Sequence, residues 1–195
     1  MRRNYPEKPD KVYFMGTCLA DMLYAEAGMA GIRLLEREGV KVIYPREQTC
    51  CGQPAFNSGF QEEALEVALH QIHCFPKAYP IVVPSGSCGA MMVRHYPELF
   101  EGHPFEQKAI EFSSRIFELS EFLHHVLKIR LKDQGVPVKV TWHTSCHAKR
   151  ELGLRDEAKQ LVKQLENVEL KELEREDECC GFGGTFSVKQ PMISG

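Results

Sequence analysis

Apolar residues recur along this chain with two alternating periods. Val12, Tyr13, Phe14 and Met15 form a short unbroken apolar run stopped by Gly16, the pattern of a buried strand over residues 11–15. Over residues 20–38 the spacing changes. Met22, Leu23, Ala27, Ala30, Leu34 and Leu35 return at helical intervals, and Gly39 closes the run. A second strand is expected over residues 40–44, ending at Pro45, a helix over 61–73, and a third strand at 81–83, ending at Pro84. A charged stretch containing Gly102 and Pro104 follows. Beyond it Ile116, Phe117, Leu119, Phe122, Leu123, Val126 and Leu127 form a broad apolar face, which predicts one connecting helix over 114–130 whose face is core, with a subunit interface as the alternative. Residues 138–142 then read as a strand, 156–165 as a helix and 168–170 as the start of another strand.

The order strand, helix, strand thus comes round twice. Strands alternating with helices favour parallel sheets. The expected class is α/β, with two pseudo-repeated halves, each a short, mainly parallel sheet with flanking helices. The division falls between Phe100 and Gly135 and is drawn as 1–105 for the first half and 106–195 for the connecting helix and second half. No terminating element is expected in Pro191, Met192, Ile193, Ser194 and Gly195, so the second half reads as incomplete at its C-terminal end.

Composition removes some partners. The net charge is −3, and no Lys/Arg cluster or basic amphipathic helix stands out, so neither nucleic acid nor an anionic membrane is an expected partner. The apolar run after the polar, Pro-broken first ten residues is too short for a signal peptide core or a membrane span. A cytoplasmic location is therefore expected. In that reducing compartment eight cysteines point to metal or redox chemistry rather than to structural disulfides.

Their spacing is the strongest signal in the chain. From Cys18 there are 31 intervening residues before Cys50-Cys51-Gly52, and from Cys146 there are 32 before Cys179-Cys180-Gly181. Each lone cysteine follows an expected strand and each pair lies beyond the next, so the thiols converge where open parallel sheets place ligands. Adjacent cysteines on extended backbone point to opposite sides. They reach two neighbouring irons more easily than one tetrahedral ion. Zinc is the alternative, although the chain has no Cys-x2-Cys knuckle. Cys88, after the third strand, supplies a fourth thiolate, so that Cys18, Cys50, Cys51 and Cys88 satisfy a cubane 4Fe-4S cluster. The second half offers Cys146, Cys179 and Cys180. Only 15 residues run from Gly181 to Gly195, against 35 between Gly52 and Cys88, so its closing ligand is missing and one or two clusters are expected.

Cys-x31-Cys-Cys-Gly-x35-Cys, followed by His-Thr-Ser-Cys-His and Glu-Cys-Cys-Gly-Phe-Gly-Gly-Thr-Phe-Ser-Val-Lys, resembles the cysteine-rich CCG-domain proteins across essentially the whole chain. Related domains occur in heterodisulfide reductase, in the iron-sulfur protein of glycolate oxidase and in anaerobic glycerol-3-phosphate dehydrogenase. The resemblance implies an oxidoreductase subunit that transfers electrons in the oxidation of a small 2-hydroxy acid, lactate to pyruvate. It also implies a ferredoxin-like iron-sulfur partner and a third subunit. Heterodisulfide-type thiol chemistry and glycolate or glycerol-3-phosphate oxidation are alternatives within the family. A zinc-stabilised scaffold or an inactive fragment is the alternative outside it. Many CCG domains close each half with Cys-x2-Cys, and here Met91 stands where the second of those cysteines would be.

The remaining candidates are weaker. Cys74 matches no motif and reads as an ordinary buried thiol. His143 and His147 flank Cys146 and could bond a cluster sulfur or relay a proton; a structural role at the strand end is an equal reading. Arg94, His95, Lys149 and Arg150 could offset cluster charge or bind a carboxylate, and solvated helix faces explain them equally well. Gly183-Gly184 lacks the context of a phosphate-binding loop.

Overall fold

The computed structural model describes residues 3–176 and 178–194. Four short strands, β1 (Lys11–Phe14), β2 (Lys41–Ile43), β3 (Ile81–Val83) and β4 (Ile116–Glu118), form one sheet in the order β2-β1-β3-β4. Every pairing is parallel, with Val12 opposite Val42, Phe14 opposite Val82 and Val82 opposite Phe117. Parallel neighbours require crossovers, and helices supply them. They are α1 (Cys18–Leu23), α2 (Ala25–Arg37), α3 (Gln53–Phe56), α4 (Gln61–Cys74), α5 (Gly86–Ala90), α6 (Tyr96–Leu99) and α7 (Glu106–Ser114), with a π turn at Met91–His95 joining α5 to α6.

The two-residue period of the strands divides the core. Tyr13, Met15, Ile81, Val83 and Ile116 face one side, where they pack with Ile72, Phe75, Tyr96 and Phe112. Val12, Phe14, Val82 and Phe117 face the other, against Leu35, Val40, Phe122 and Val126. Both faces are covered, which is why β1 and β3 read as continuous apolar runs rather than alternating ones.

The single helix expected over 114–130 is not what forms. Ile116 and Phe117, one on each sheet face, make β4 instead. Glu118 then starts a new helix, α8 (Leu119–Glu121): its side chain accepts from the Ser120 and Glu121 N–H groups, and Glu121 answers by accepting from the Glu118 N–H. A π turn at Phe122–Val126 follows. The helix expected over 20–38 is broken at Tyr24 (φ −134°, ψ 42°) into α1 and α2. Helical segments also form at 86–99 and 106–114, where Gly86, Gly89, Pro97 and Pro104 had hidden the pattern.

The second sheet contains β5 (Val138–Thr141) and β6 (Val168–Lys171), parallel, with α9 (Cys146–Arg150) and α10 (Glu157–Val162) between them. Its strands are largely exposed. The chain continues into two short helices, α11 (Thr185–Lys189) and α12 (Pro191–Ser194), where no terminating element had been expected. The fold class expected from the sequence is the one observed. Among the described residues no helix is long and apolar enough to cross a membrane.

Candidate metal centre

Cys18 opens α1 directly after β1, Cys50 and Cys51 follow β2, and Cys88 lies in α5 directly after β3. Three adjacent parallel strands therefore deliver four thiols to one end of the first sheet, as expected. The thiols form a chain of hydrogen bonds. Cys50 lies within hydrogen-bonding reach of both Cys18 and Cys51, and Cys51 of Cys88 as well, its one proton serving either neighbour. The hydrogen bond from Cys51, helped by the Gly52 N–H, brings the Cys50 thiol down to about 6. Cys88 is lowered by its bond from Cys51 and by the Ser85 and Ser87 hydroxyls. Cys51 itself is pushed well up by the same two sulfur contacts and by burial, and Cys18 is raised by burial and by the charges of Cys50 and Cys88. Cys50 is thus the sulfur most readily converted to the thiolate, the form that ligates metal, and Cys88 is shifted in the same direction.

Two side-chain amides, one buried and one half-buried, hold the loops that carry these sulfurs. The fully buried Gln71 donates through Nε2 to the Thr49 carbonyl (2.9 Å) and accepts the Thr49 N–H at Oε1 (3.0 Å). Gln48 accepts from the Gly16 N–H (2.9 Å) and donates to the Phe14 carbonyl (3.2 Å). One amide fixes the approach to Cys50 and the other the approach to Cys18. Gly52 adopts φ +83°, and a Cβ there would lie 3.3 Å from the Ala64 carbonyl oxygen. That turn sends its N–H back to Cys50 Sγ at 3.4 Å. Tyr96 donates its hydroxyl to the Cys51 carbonyl at 3.0 Å.

The second half repeats the arrangement in a more open setting. Cys146 begins α9 behind the Ser145 cap, and its thiol is hydrogen-bonded to Cys179 with Cys180 close by; burial, then the charge on Cys179, raises it. Gly181 adopts φ +81° and points its N–H at Cys179 Sγ, 3.4 Å away. Cys179 and Cys180 are exposed, whereas Cys51 and Cys88 are 2% and 8% exposed. His143 Nε2 bonds the Glu178 carbonyl oxygen (3.0 Å) and Thr144 donates to Glu176 (3.4 Å), which tie the loop before Cys146 to the loop before the pair. Lys159 Nζ anchors Glu176 from below at 2.9 Å.

The two halves meet beside their cysteines. A Cβ on Gly86 would lie 2.7 Å from Ala148 Cβ and 2.8 Å from Ser145 Oγ, so α5, carrying Cys88, can touch α9, carrying Cys146, only because residue 86 has no side chain. Glu151 joins the same seam: its carboxylate lies 3.1 Å from His95 Nε2 and 2.7 Å from His147 Nδ1, and its carbonyl accepts from Arg94 Nε (2.8 Å). His95 and Arg94 thus link the first half to Glu151, while His147 holds the same carboxylate from within the second half. Arg150 is near enough to Cys146 to lower its thiol against the other effects. Beside this seam a cavity of about 190 Å³ opens, lined by Ser85, Glu118, Trp142, Thr144, Ser145 and Arg155 among others. Cys74 stands apart from the other thiols and is half-buried rather than buried as expected; its sulfur lies 3.4 Å from His70 Nε2, and partial burial raises it.

Among the described residues no group of three or more His, Cys, Asp or Glu side chains is arranged to hold a single metal ion. The donors fit a larger group better: all are sulfur, they come from separate loops, and backbone N–H groups point at Cys50 and Cys179. Gln48, Gln71 and Tyr96 escaped the sequence reading. Of these Gln71 carried a signal, since it occupies the buried stripe of α4 with Ala64, Ala68 and Ile72.

This doubled arrangement of cysteines on parallel strand ends is shared with known proteins. A family profile described as a cysteine-rich domain, CCG, matches residues 12–93 and 140–195. The chain belongs to the CCG cysteine-rich domain family. Lactate utilization protein A of Geobacillus kaustophilus (strain HTA426) is 45% identical over 185 residues, covering 94% of this chain and 77% of that protein. The protein of the same name from Halalkalibacterium halodurans is 44% identical, covering 94% and 75%, and that of Shouchella clausii (strain KSM-K16) is 46% identical over 179 residues, covering 91% and 74%. Within the CCG family, the chain belongs with lactate utilization protein A.

Proposed function

We propose that this chain is a cytoplasmic iron-sulfur electron-transfer subunit of a complex that oxidises L-lactate, a small 2-hydroxy acid, to pyruvate. The observation that carries this reading is the convergence of Cys18, Cys50, Cys51 and Cys88 at the ends of three adjacent parallel strands. The names of the relatives supply the pathway. These four cysteines hold one 4Fe-4S cluster, and Cys146, Cys179 and Cys180 provide three thiolates to a second. A bound cluster supplies reversible one-electron storage. The protein's own residues fix its position and surroundings: Gln48 and Gln71 hold the ligand loops, the Gly52 and Gly181 N–H groups point at sulfur, and the seam at Gly86 keeps the two sites adjacent. Electrons pass to and from a ferredoxin-like iron-sulfur subunit, with a third subunit completing the complex.

Anaerobic purification with iron, acid-labile sulfide and zinc analysis tests the reading. A brown protein with matching iron and sulfide is expected, about four of each if only the first site fills and more if both do. A colourless protein with stoichiometric zinc, or no metal after reconstitution, would sink it.

A further inference from the structure

One peptide group in the first site is gripped at both ends. Its carbonyl, on Cys51, accepts the Tyr96 hydroxyl at 3.0 Å, and its N–H, on Gly52, donates to Cys50 Sγ at 3.4 Å. Tyr96 is fully buried, with its ring stacked on Phe112 (5.7 Å between centroids, 17° between planes) and beside Phe100 at 6.3 Å. A carbonyl oxygen can only accept, so the hydroxyl facing it is the donor. A donor on an amide oxygen draws electron density from the nitrogen and makes the N–H more acidic, so hydrogen bonds in series strengthen one another by roughly 10–30%. Hydrogen bonds to cluster sulfurs in turn favour the reduced state, whose extra negative charge they stabilise.

The second half offers an internal control. Gly181 repeats the left-handed turn and the 3.4 Å contact to sulfur. Among the described residues, however, no hydroxyl donates to the Cys180 carbonyl. Ser194 Oγ serves the Gly181 (2.7 Å) and Phe182 (3.4 Å) carbonyls instead.

We propose that Tyr96 is a positioning residue that acts through the Cys51–Gly52 peptide to strengthen the hydrogen bond on the Cys50 sulfur, raising the reduction potential of the first site. The hydrogen-bond relay belongs to the chain itself; its effect on potential rests on the cluster reading above.

Tyr96→Phe keeps the ring and deletes the donor. In the metal-free, reduced full chain, the Gly52 amide proton in a ¹H–¹⁵N spectrum is expected to move upfield while that of Gly181 stays in place. In the reconstituted protein the reduction equilibrium of the first cluster should shift roughly two- to fivefold toward the oxidised form. Phe112→Leu, which disturbs the ring's packing but spares the hydroxyl, should leave the Gly52 amide where it is. An unmoved Gly52 amide in Tyr96→Phe, or an equal displacement in Phe112→Leu, would overturn the relay. If Tyr96→Phe does not fold, 3-fluorotyrosine at position 96, a stronger donor, must move the Gly52 amide downfield; no movement overturns the proposal. A colourless chain that still shows the amide shifts would refute the cluster reading and leave the relay standing, while normal amide shifts with an unchanged potential would refute the effect on potential.

Discussion

The two halves carry the same cysteine motif at different depths. In the first, a four-stranded sheet covered on both faces holds Cys51 and Cys88 in its core, and the fully buried Gln71 and Tyr96 engage the backbone around the cysteine pair. In the second, a two-stranded sheet carries Cys179 and Cys180 at the surface, and the supporting contacts are partly exposed ion pairs such as Lys159 with Glu176 and Glu172. A spacing motif sets which sulfurs meet, and the packing behind it sets how firmly they are held. Both Gly52 and Gly181 place an N–H 3.4 Å from sulfur, so the local turn is the same with or without a deep core beneath it.

The largest effect that could break this comparison is a difference in thiol access. In the metal-free, reduced chain, alkylation read by mass spectrometry is expected to reach Cys179 and Cys180 first. Cys51, buried and with its thiol pushed up by its sulfur neighbours, should lag by roughly a hundredfold or more, because reaction requires opening the core. Cys50 should react well ahead of Cys51, since its thiol is lowered to about 6 and it is only partly buried. Equal rates at Cys51 and Cys180 would mean that the first half opens as readily as the second.

The next effect probes the seam between the halves. Gly86→Val places methyl groups where even a Cβ would come within 2.7 Å of Ala148. Either α5 and α9 move apart or one of them deforms, at a cost of about 1–3 kcal/mol. The urea midpoint of the metal-free chain should fall accordingly, and Cys146 should become more reactive to alkylation. A midpoint unchanged from wild type would show that the halves do not need this close approach.

Much of this architecture can be read from the sequence because it is written in local periods. Val12 to Met15 and Ile81 to Val83 are short apolar runs, and the two Cys-Cys-Gly motifs follow strands at matched distances. The misreadings have equally local causes. Ile116 and Phe117 belong to a strand, but the apolar residues after them continue at helical spacing, so the change at Glu118 is visible only through its capping interactions with Ser120 and Glu121. Tyr96 reaches Cys51 across 45 positions of sequence, just beyond a π turn, and no short-range pattern announces such a contact. Gln48 is likewise marked by nothing in its neighbourhood. Glu151 drew no reading from the sequence, and only the folded chain brings His95 to it, 56 positions away.

That carboxylate gives the smallest and most discriminating test. Glu151→Gln keeps the size and hydrogen-bonding capacity of the side chain and removes its charge. His95, His147 and Glu151 are each about a quarter to a third exposed, with side-chain values of 26%, 34% and 28%, so water and salt screen any attraction of the carboxylate for an imidazolium. The expected loss is below about 1 kcal/mol in the urea midpoint at low salt, shrinking further in 1 M salt, where the Debye length falls to about 3 Å. The Arg94 bond to the Glu151 carbonyl survives the substitution, so the seam should remain closed and Cys146 should keep its wild-type alkylation rate. A loss that persists undiminished in 1 M salt would show that hydrogen-bond geometry rather than charge joins the halves. A loss as large as that of Gly86→Val would mean that the second half depends on this seam far more than its own sheet suggests.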